Sequence, residues 1–404
     1  MAHKTMIDGT VYEVKGGKCM VDSTVYDIKS GKTMQNGTVY DITFSLPPEV
    51  IDLFSGSTGT TINCVKRANG YWVVGGMYYD GSTYYARIAY ATELDGTWIT
   101  KDLWSSNYGE NFISDIEYAD GHWAVAGKET ASDVYTYGNI AHTTNLGGTW
   151  EKMSVGTTGN SYNQFNFIKY IGGYWVAGGR IYEGGYKAYI VYTNDINISW
   201  TGKALWGNSY RYVEVNDIVY TEGLYWVAVG KVCTSNNYSY TQYAFTTALN
   251  STWTTKELWS GSTTHNTISS IVQIDNYWVV SGLYYDGSRY YARIAYTNNL
   301  TTAWTIVDVW SDTGQSIIHS IQYKGGYWVV CGGRINGTSH YAVIGYATSL
   351  SGSWIVEDLW SSTGDSYVKD VDYSDEYWIV CGVYNNLLGR ISYAPELSKL
   401  IQAS

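Results

Sequence analysis

The chain has 404 residues, 45% apolar and 15% charged, with 18 Trp, 42 Tyr and 44 Gly against 6 Phe and 3 Pro. A chain this apolar can bury a large core, which excludes a disordered acidic segment. The net charge of −11 argues against non-specific nucleic-acid binding and against docking on an anionic membrane, both of which need clustered Lys and Arg.

The N-terminus, Met1-Ala2-His3-Lys4-Thr5, lacks the apolar core of a signal peptide. Residues 4–42 then carry a repeat marked by Lys4, Lys18 and Lys32, spaced by 14. Each copy places Asp8-Gly9, Asp22-Ser23 or Asn36-Gly37 before Thr-Val-Tyr. Asp-Gly and Asn-Gly between β-branched runs are strong hairpin signals. About 40 residues rarely bury enough surface to stand alone, so a second copy of the chain or a larger assembly is expected to cover them. The alternative is a β-extension packed on the rest of the molecule. These repeats resemble N-terminal repeats of structural proteins from phages and prophages of Gram-positive bacteria. The resemblance covers about a tenth of the chain. It implies attachment of residues 1–45 to virion or tail proteins, assembly in the host cytoplasm, and residence in a virion. Pro47-Pro48 forms a stiff link to the remainder, residues 46–404.

From there one unit repeats. Its mark is an aromatic–Trp pair whose Trp falls at 72, 123, 175, 226, 278, 328 and 378, at steps of 50–52. A second Trp follows in six copies (Trp98, Trp150, Trp200, Trp253, Trp304, Trp354) and a third in five (Trp104, Trp206, Trp259, Trp310, Trp360). Every Trp therefore belongs to the repeat, and each reads first as core. Within the second unit, short β-forming runs lie at Ile113–Tyr118, Trp123–Ala126 and Asn139–Thr143. The turns are Asp120-Gly121 and Asn145–Gly148, and Trp150 opens a fourth strand. Four short strands per 50 residues, seven times over, predict an all-β chain: a seven-bladed β-propeller. Glu49–Phe54 reads like the fourth strand Ile355–Trp360, while the last unit ends at Arg390–Tyr393 without one. The N-terminal strand is therefore expected to complete the last blade and abolish the open edge.

The turn Thr143-Thr-Asn145-Leu-Gly147-Gly-Thr149-Trp150 resembles the Asp-box of sialidase-type propellers, with Thr193–Trp200 a second match. That resemblance concerns architecture only, because the Asp-box is a folding turn. A sialidase site would need convergent arginines. Here Arg87, Arg293 and Arg390 share one repeat position and Arg180 and Arg334 another, so they project alike from separate blades. A glycosidase needs two facing carboxylates, and none stands out. Asp115, Asp217 and Asp370 share a column on the first strand of their units. They read as a channel-lining polar ring or, in preference, as hydrogen-bond links between blades. The five cysteines are widely spaced and the six histidines scattered, so disulfides, metal and other cofactors are not expected.

The candidate binding residues lie in loops between second and third strands. They are Tyr78, Tyr79, Asp80 and Tyr84; Tyr182 and Tyr186; and Tyr284, Tyr285, Asp286 and Arg289. Tyr rings beside Asp and Arg suit a sugar or a protein surface, and equally suit cross-strand pairs at hairpin tips. The function expected is a non-enzymatic structural protein whose propeller contacts a host-surface glycan or another virion protein. A stand-alone propeller lectin and a propeller glycosidase are the alternatives.

Overall fold

A computed structural model describes residues 49–400 apart from 133–134, 156–160, 209–211, 235–238 and 262–264, together with strand backbone within residues 3–43. In the N-terminal region the strands pair as three antiparallel hairpins: His3–Ile7 with Thr10–Val14, Lys18–Val21 with Thr24–Asp27, and Ser30–Gln35 with Thr38–Thr43. The expected turn residues at 8–9, 22–23 and 36–37 and the Pro47-Pro48 link lie outside the described residues.

The rest is seven sheets in chain order, each with four antiparallel strands laid out from innermost to outermost, and in blade 2 Ser161–Tyr162 adds a short parallel pairing to the third strand. Blade 1 runs Thr61–Ala68, Tyr71–Tyr79, Tyr84–Ala91 and Ile99–Ser106, and the inner strands of blades 2 to 7 begin at Phe112, Gln164, Tyr212, Thr267, Ser316 and Tyr367. The last blade takes its outer strand from the other end of the propeller sequence. Glu49–Ser55 pairs with Leu388–Ala394, setting Ile51 opposite Ile391 and Asp52 opposite Arg390. This is the β-propeller expected, closed as expected. Phe54 stands where five other blades carry the third Trp, and it is fully buried.

The core is not central. Seven apolar clusters each span two neighbouring blades. The repeating Trp of the second strand sits in these seams, as Trp123 does between blades 1 and 2 and Trp175 between blades 2 and 3. Burying such a ring removes roughly 150–250 Å² from water, worth about 4–6 kcal/mol of transfer free energy. The third Trp pins the seam as well. The indole N–H groups of Trp104, Trp259 and Trp360 donate to the carbonyls of Lys128, Leu283 and Val383 in the next blade.

The turns follow from their residues. Between first and second strands, Asn69-Gly70, Asp120-Gly121, Gly172-Gly173 and Gly325-Gly326 all have φ between +46° and +82°, the paired left-handed geometry of a two-residue hairpin. The Asp-box turns are closed by side chains. The Thr143 hydroxyl donates to the Thr149 carbonyl, and Asn145 Oδ1 accepts from the Gly147 amide. The second Trp serves here rather than on the outer strand, which begins one residue later at Glu151. The Trp150 indole donates to the Leu146 carbonyl and clamps the turn.

A third device escaped the sequence reading. In five blades the residue leading into the inner strand is a buried Asn, Ser or Thr whose side chain accepts from the backbone at the end of the second strand. Asn111 Oδ1 takes the Thr130 amide at 3.0 Å, Asn163 the Tyr182 amide at 2.7 Å and Asn266 the Tyr285 amide at 2.8 Å. Replacing Asn163 by Ala strands a buried N–H, so a loss of about 1–3 kcal/mol is expected, read as a shift in the urea midpoint.

Candidate functional site

Each inner strand carries a β-bulge at the same place, two residues after its common register start. The bulged residues are Asn63, Ser114, Asn166, Asn216, Ser269, His319 and Lys369. A bulge re-aims one side chain out of the strict in–out alternation, and here all seven line the axial channel. In four blades the re-aimed side chain closes on the next blade. Asn63 Nδ2 donates to the Ile113 carbonyl at 2.8 Å and the Ser114 hydroxyl to that of Phe165 at 2.7 Å. Asn166 Nδ2 reaches Val215 at 2.9 Å and Asn216 Nδ2 reaches Ile268 at 2.6 Å.

One step along the strand lies the aspartate column. Asp115 Oδ2 accepts from the Ile168 amide at 2.9 Å, Asp217 Oδ2 from Ile271 at 2.9 Å, and Asp370 Oδ2 from Val65 at 3.2 Å. These carboxyls join blade to blade, as preferred from the sequence, and the last of them joins blade 7 to blade 1. Burial drives Asp115 up to about 6 and Asp370 up to about 7, against the amides and the Ser320 hydroxyl that favour their ionised forms. A carboxyl whose folded pKa lies above its unfolded value near 3.9 binds more protons when folded. Its contribution is full below about pH 4 and fades as pH rises through 7. The urea midpoint is therefore expected to fall between pH 4 and pH 7, and Asp370→Asn to flatten that slope. An unchanged slope in the variant would contradict this assignment.

At the end where the inner strands begin, the channel opens into a mouth of about 510 Å³. Its wall includes Thr61, Glu110, Phe112, Glu214, Lys231, Tyr367 and the bulge ring. Glu214 is buried between Lys231 Nζ at 2.9 Å and Arg180 Nη1 at 3.2 Å. Burial alone would raise its carboxyl, but the two cations outweigh it and hold it below the usual range. Glu110 faces Lys128 at 3.3 Å. Burial lifts the Tyr367 phenol to about 12, depresses the Lys369 ammonium to about 8, and keeps His319 neutral. Among the described residues no cluster of three His, Cys, Asp or Glu is arranged to hold a metal. Nor is any described helix long and apolar enough to cross a membrane.

The tyrosine hairpins surround this mouth, because the end of each second strand lies beside the start of its inner strand. In blade 1, Tyr79 and Tyr84 stack at 4.1 Å, and Tyr78 lies under Arg87. Asp80 Oδ1 accepts from the Ser82 and Thr83 amides and Oδ2 from the Tyr85 hydroxyl. Those bonds lower its pKa to about 2. Blade 5 repeats the arrangement with Tyr285 on Tyr290 at 4.3 Å, Tyr284 under Arg293, and Asp286 on the Ser288 and Arg289 amides. In blade 3, Tyr182 meets Tyr186 edge-on, and Tyr186 stacks on Tyr212 at 5.5 Å. Tyr186 lines a groove with Glu183 and Trp206. The ten residues singled out by sequence thus form hairpin tips on blades 1, 3 and 5, with the exposed Arg289 at one tip. They are not gathered into one pocket.

The arginines do not converge either. Arg87, Arg293 and Arg390 each hold a carboxylate of their own blade's outer strand, Asp102, Asp308 and Asp52, in two-pronged pairs. Arg334 does the same with Asp358. Sequence reasoning missed the bulge ring. Its trace is the glycine four residues after each repeating Trp, at 76, 127, 179, 230, 282, 332 and 382, which lies across from the bulge.

The fold and its mouth define a seven-bladed β-propeller with a polar axial site. No family model matches the chain, and no curated protein matches it. Solved structures of similar architecture include Trypanosoma rangeli sialidase as its covalent 2,3-difluorosialic acid intermediate. It is 12% identical, with 87% of this chain and 60% of that chain covered and a TM-score of 0.47. A T. rangeli sialidase mutant displaying trans-sialidase activity gives 12%, 88%, 60% and 0.46. Sqt1 of Chaetomium thermophilum gives 11%, 84%, 82% and 0.45. The chain spans about 60% of the length of those sialidases. At this identity and overlap the likeness carries nothing about a site or an activity.

Proposed function

We propose that this is a non-enzymatic binding protein. Its propeller contacts a glycan through the face that carries the tyrosine hairpins and the axial mouth, and residues 1–45 attach it to a larger particle such as a virion or tail. The supporting observation is the state of the carboxylates at the axis. Glu214 is neutralised by Lys231 and Arg180, Glu110 faces Lys128, and Asp115 and Asp370 are engaged by backbone amides. A glycosidase needs two carboxyls free to face a sugar, whereas a binding site needs fixed donors and aromatic faces.

The test is to screen the full chain on an oligosaccharide array and recover each bound glycan. Bound and intact glycan is the expected result. Hydrolysed glycan would overturn the non-enzymatic reading in favour of a glycosidase, and no bound glycan would leave a protein partner for that face. Light scattering of the full chain beside one starting at Leu46 tests the repeats. A multimer that becomes a folded monomer on truncation is expected if they assemble the protein, and equal monomers would sink self-assembly.

A further inference from the structure

The bulge ring is closed on one side and open on the other. In blades 1 to 4 its side chains donate to the following blade. In blades 5, 6 and 7 it presents Ser269, His319 and Lys369, three consecutive positions around the axis, all facing the mouth. Among the described residues none of these three makes the inter-blade bond of the others. Five lysines line the channel, of which Lys324 is exposed at the far end of its inner strand, away from the mouth. Lys66, Lys169 and Lys231 face Glu117, Asp217 and Glu214 within 2.9 Å. Lys369 has no carboxylate at ion-pair distance among the described residues, and its ammonium lies 4.7 Å from the centre of the Tyr367 ring.

We propose that the open arc of Ser269, His319 and Lys369 is a subsite for a small anionic group, the carboxylate or sulfate of an acidic saccharide. This rests on the binding role proposed above and names the chemical class of its ligand. A hydroxyl, a neutral imidazole and an ammonium supply donors directed at one cavity, and only the ammonium carries charge. Glu214 and Glu110 also line the mouth. Glu214 is engaged by Lys231 and Arg180 and Glu110 by Lys128, and Asp365 acts on Lys369 without pairing with it, so Lys369 is the ammonium of the mouth wall left without a paired carboxylate among the described residues. An ammonium that lacks a paired carboxylate in a cavity wall attracts negative charge. A bound anion would also restore the ammonium that burial disfavours, since an opposite charge within a few ångströms favours the charged form. Binding should therefore weaken as pH rises past the depressed pKa near 8.

The test is calorimetric titration of the full chain at pH 6.5 with glucuronate, glucose and inorganic sulfate, on the parent protein, Lys369→Met and Lys369→Arg. The expected result is glucuronate binding at least tenfold tighter than glucose, lost in Lys369→Met and kept in Lys369→Arg. Sulfate bound with the same dependence but without glucuronate would make the ligand an inorganic anion and overturn the saccharide. Equal binding of glucose and glucuronate, unaffected by Lys369→Met, would overturn the anion subsite while leaving the glycan-binding role intact. No binding of any of the three would overturn the subsite, and the array would then judge the broader role separately.

Discussion

Gly332→Ala is expected to cost about 3 kcal/mol or more, where an ordinary surface change costs about 0.5 kcal/mol. An added Cβ would sit 1.9 Å from the Ile317 carbonyl oxygen and 2.9 Å from its carbon, a backbone collision that no rotamer change relieves. The cause is the bulge at His319, which brings the partner strand's carbonyl over this residue. The same contact recurs at the six equivalent glycines, at 2.0–2.1 Å. Gly326→Ala is the control. It has open space around it and a φ of +82°, so only conformational strain of about 1 kcal/mol is expected there. Urea denaturation of the two variants separates crowding from strain. Equal costs would show that the inner strands shift to accommodate the methyl group.

The second large effect concerns closure. A chain starting at Leu46 keeps Glu49–Ser55 and should fold its propeller with an undiminished melting transition. A chain starting at Gly56 should lose cooperative folding. It removes the buried Phe54, the Asp52–Arg390 pair, the Tyr393–Glu49 hydrogen bond at 2.7 Å and a full strand ladder. What remains is an unpaired third strand at Leu388–Ala394 and an opened seam between blades 7 and 1. Exposed edges of that kind pair with other chains, so aggregation should accompany the loss. A sharp two-state melt of the shorter chain, by near-UV circular dichroism, would show that closure is dispensable.

Sequence periodicity alone determined the blade count, the four strands of each blade, the turn residues and the closing strand. These rest on local rules: side chains alternate along a strand, glycine and asparagine accept left-handed turns, and a buried Trp marks each seam. The Asp115, Asp217 and Asp370 column was visible too, with its two meanings open. Its role depends on the Ile168, Ile271 and Val65 amides, which belong to the next blade in space. The tyrosine hairpins were legible as surface features. That they stand on blades 1, 3 and 5 around one mouth, with Asp80 and Asp286 consumed by their own turns, follows from the closed ring. The axial site was decided by tertiary structure alone. A bulge breaks the alternation from which facing is read, so Ser269, His319 and Lys369 pass for ordinary strand residues in sequence. Only closure of the seven sheets about one axis places them side by side, across about 50 residues of chain each, and leaves a lysine there without a facing carboxylate.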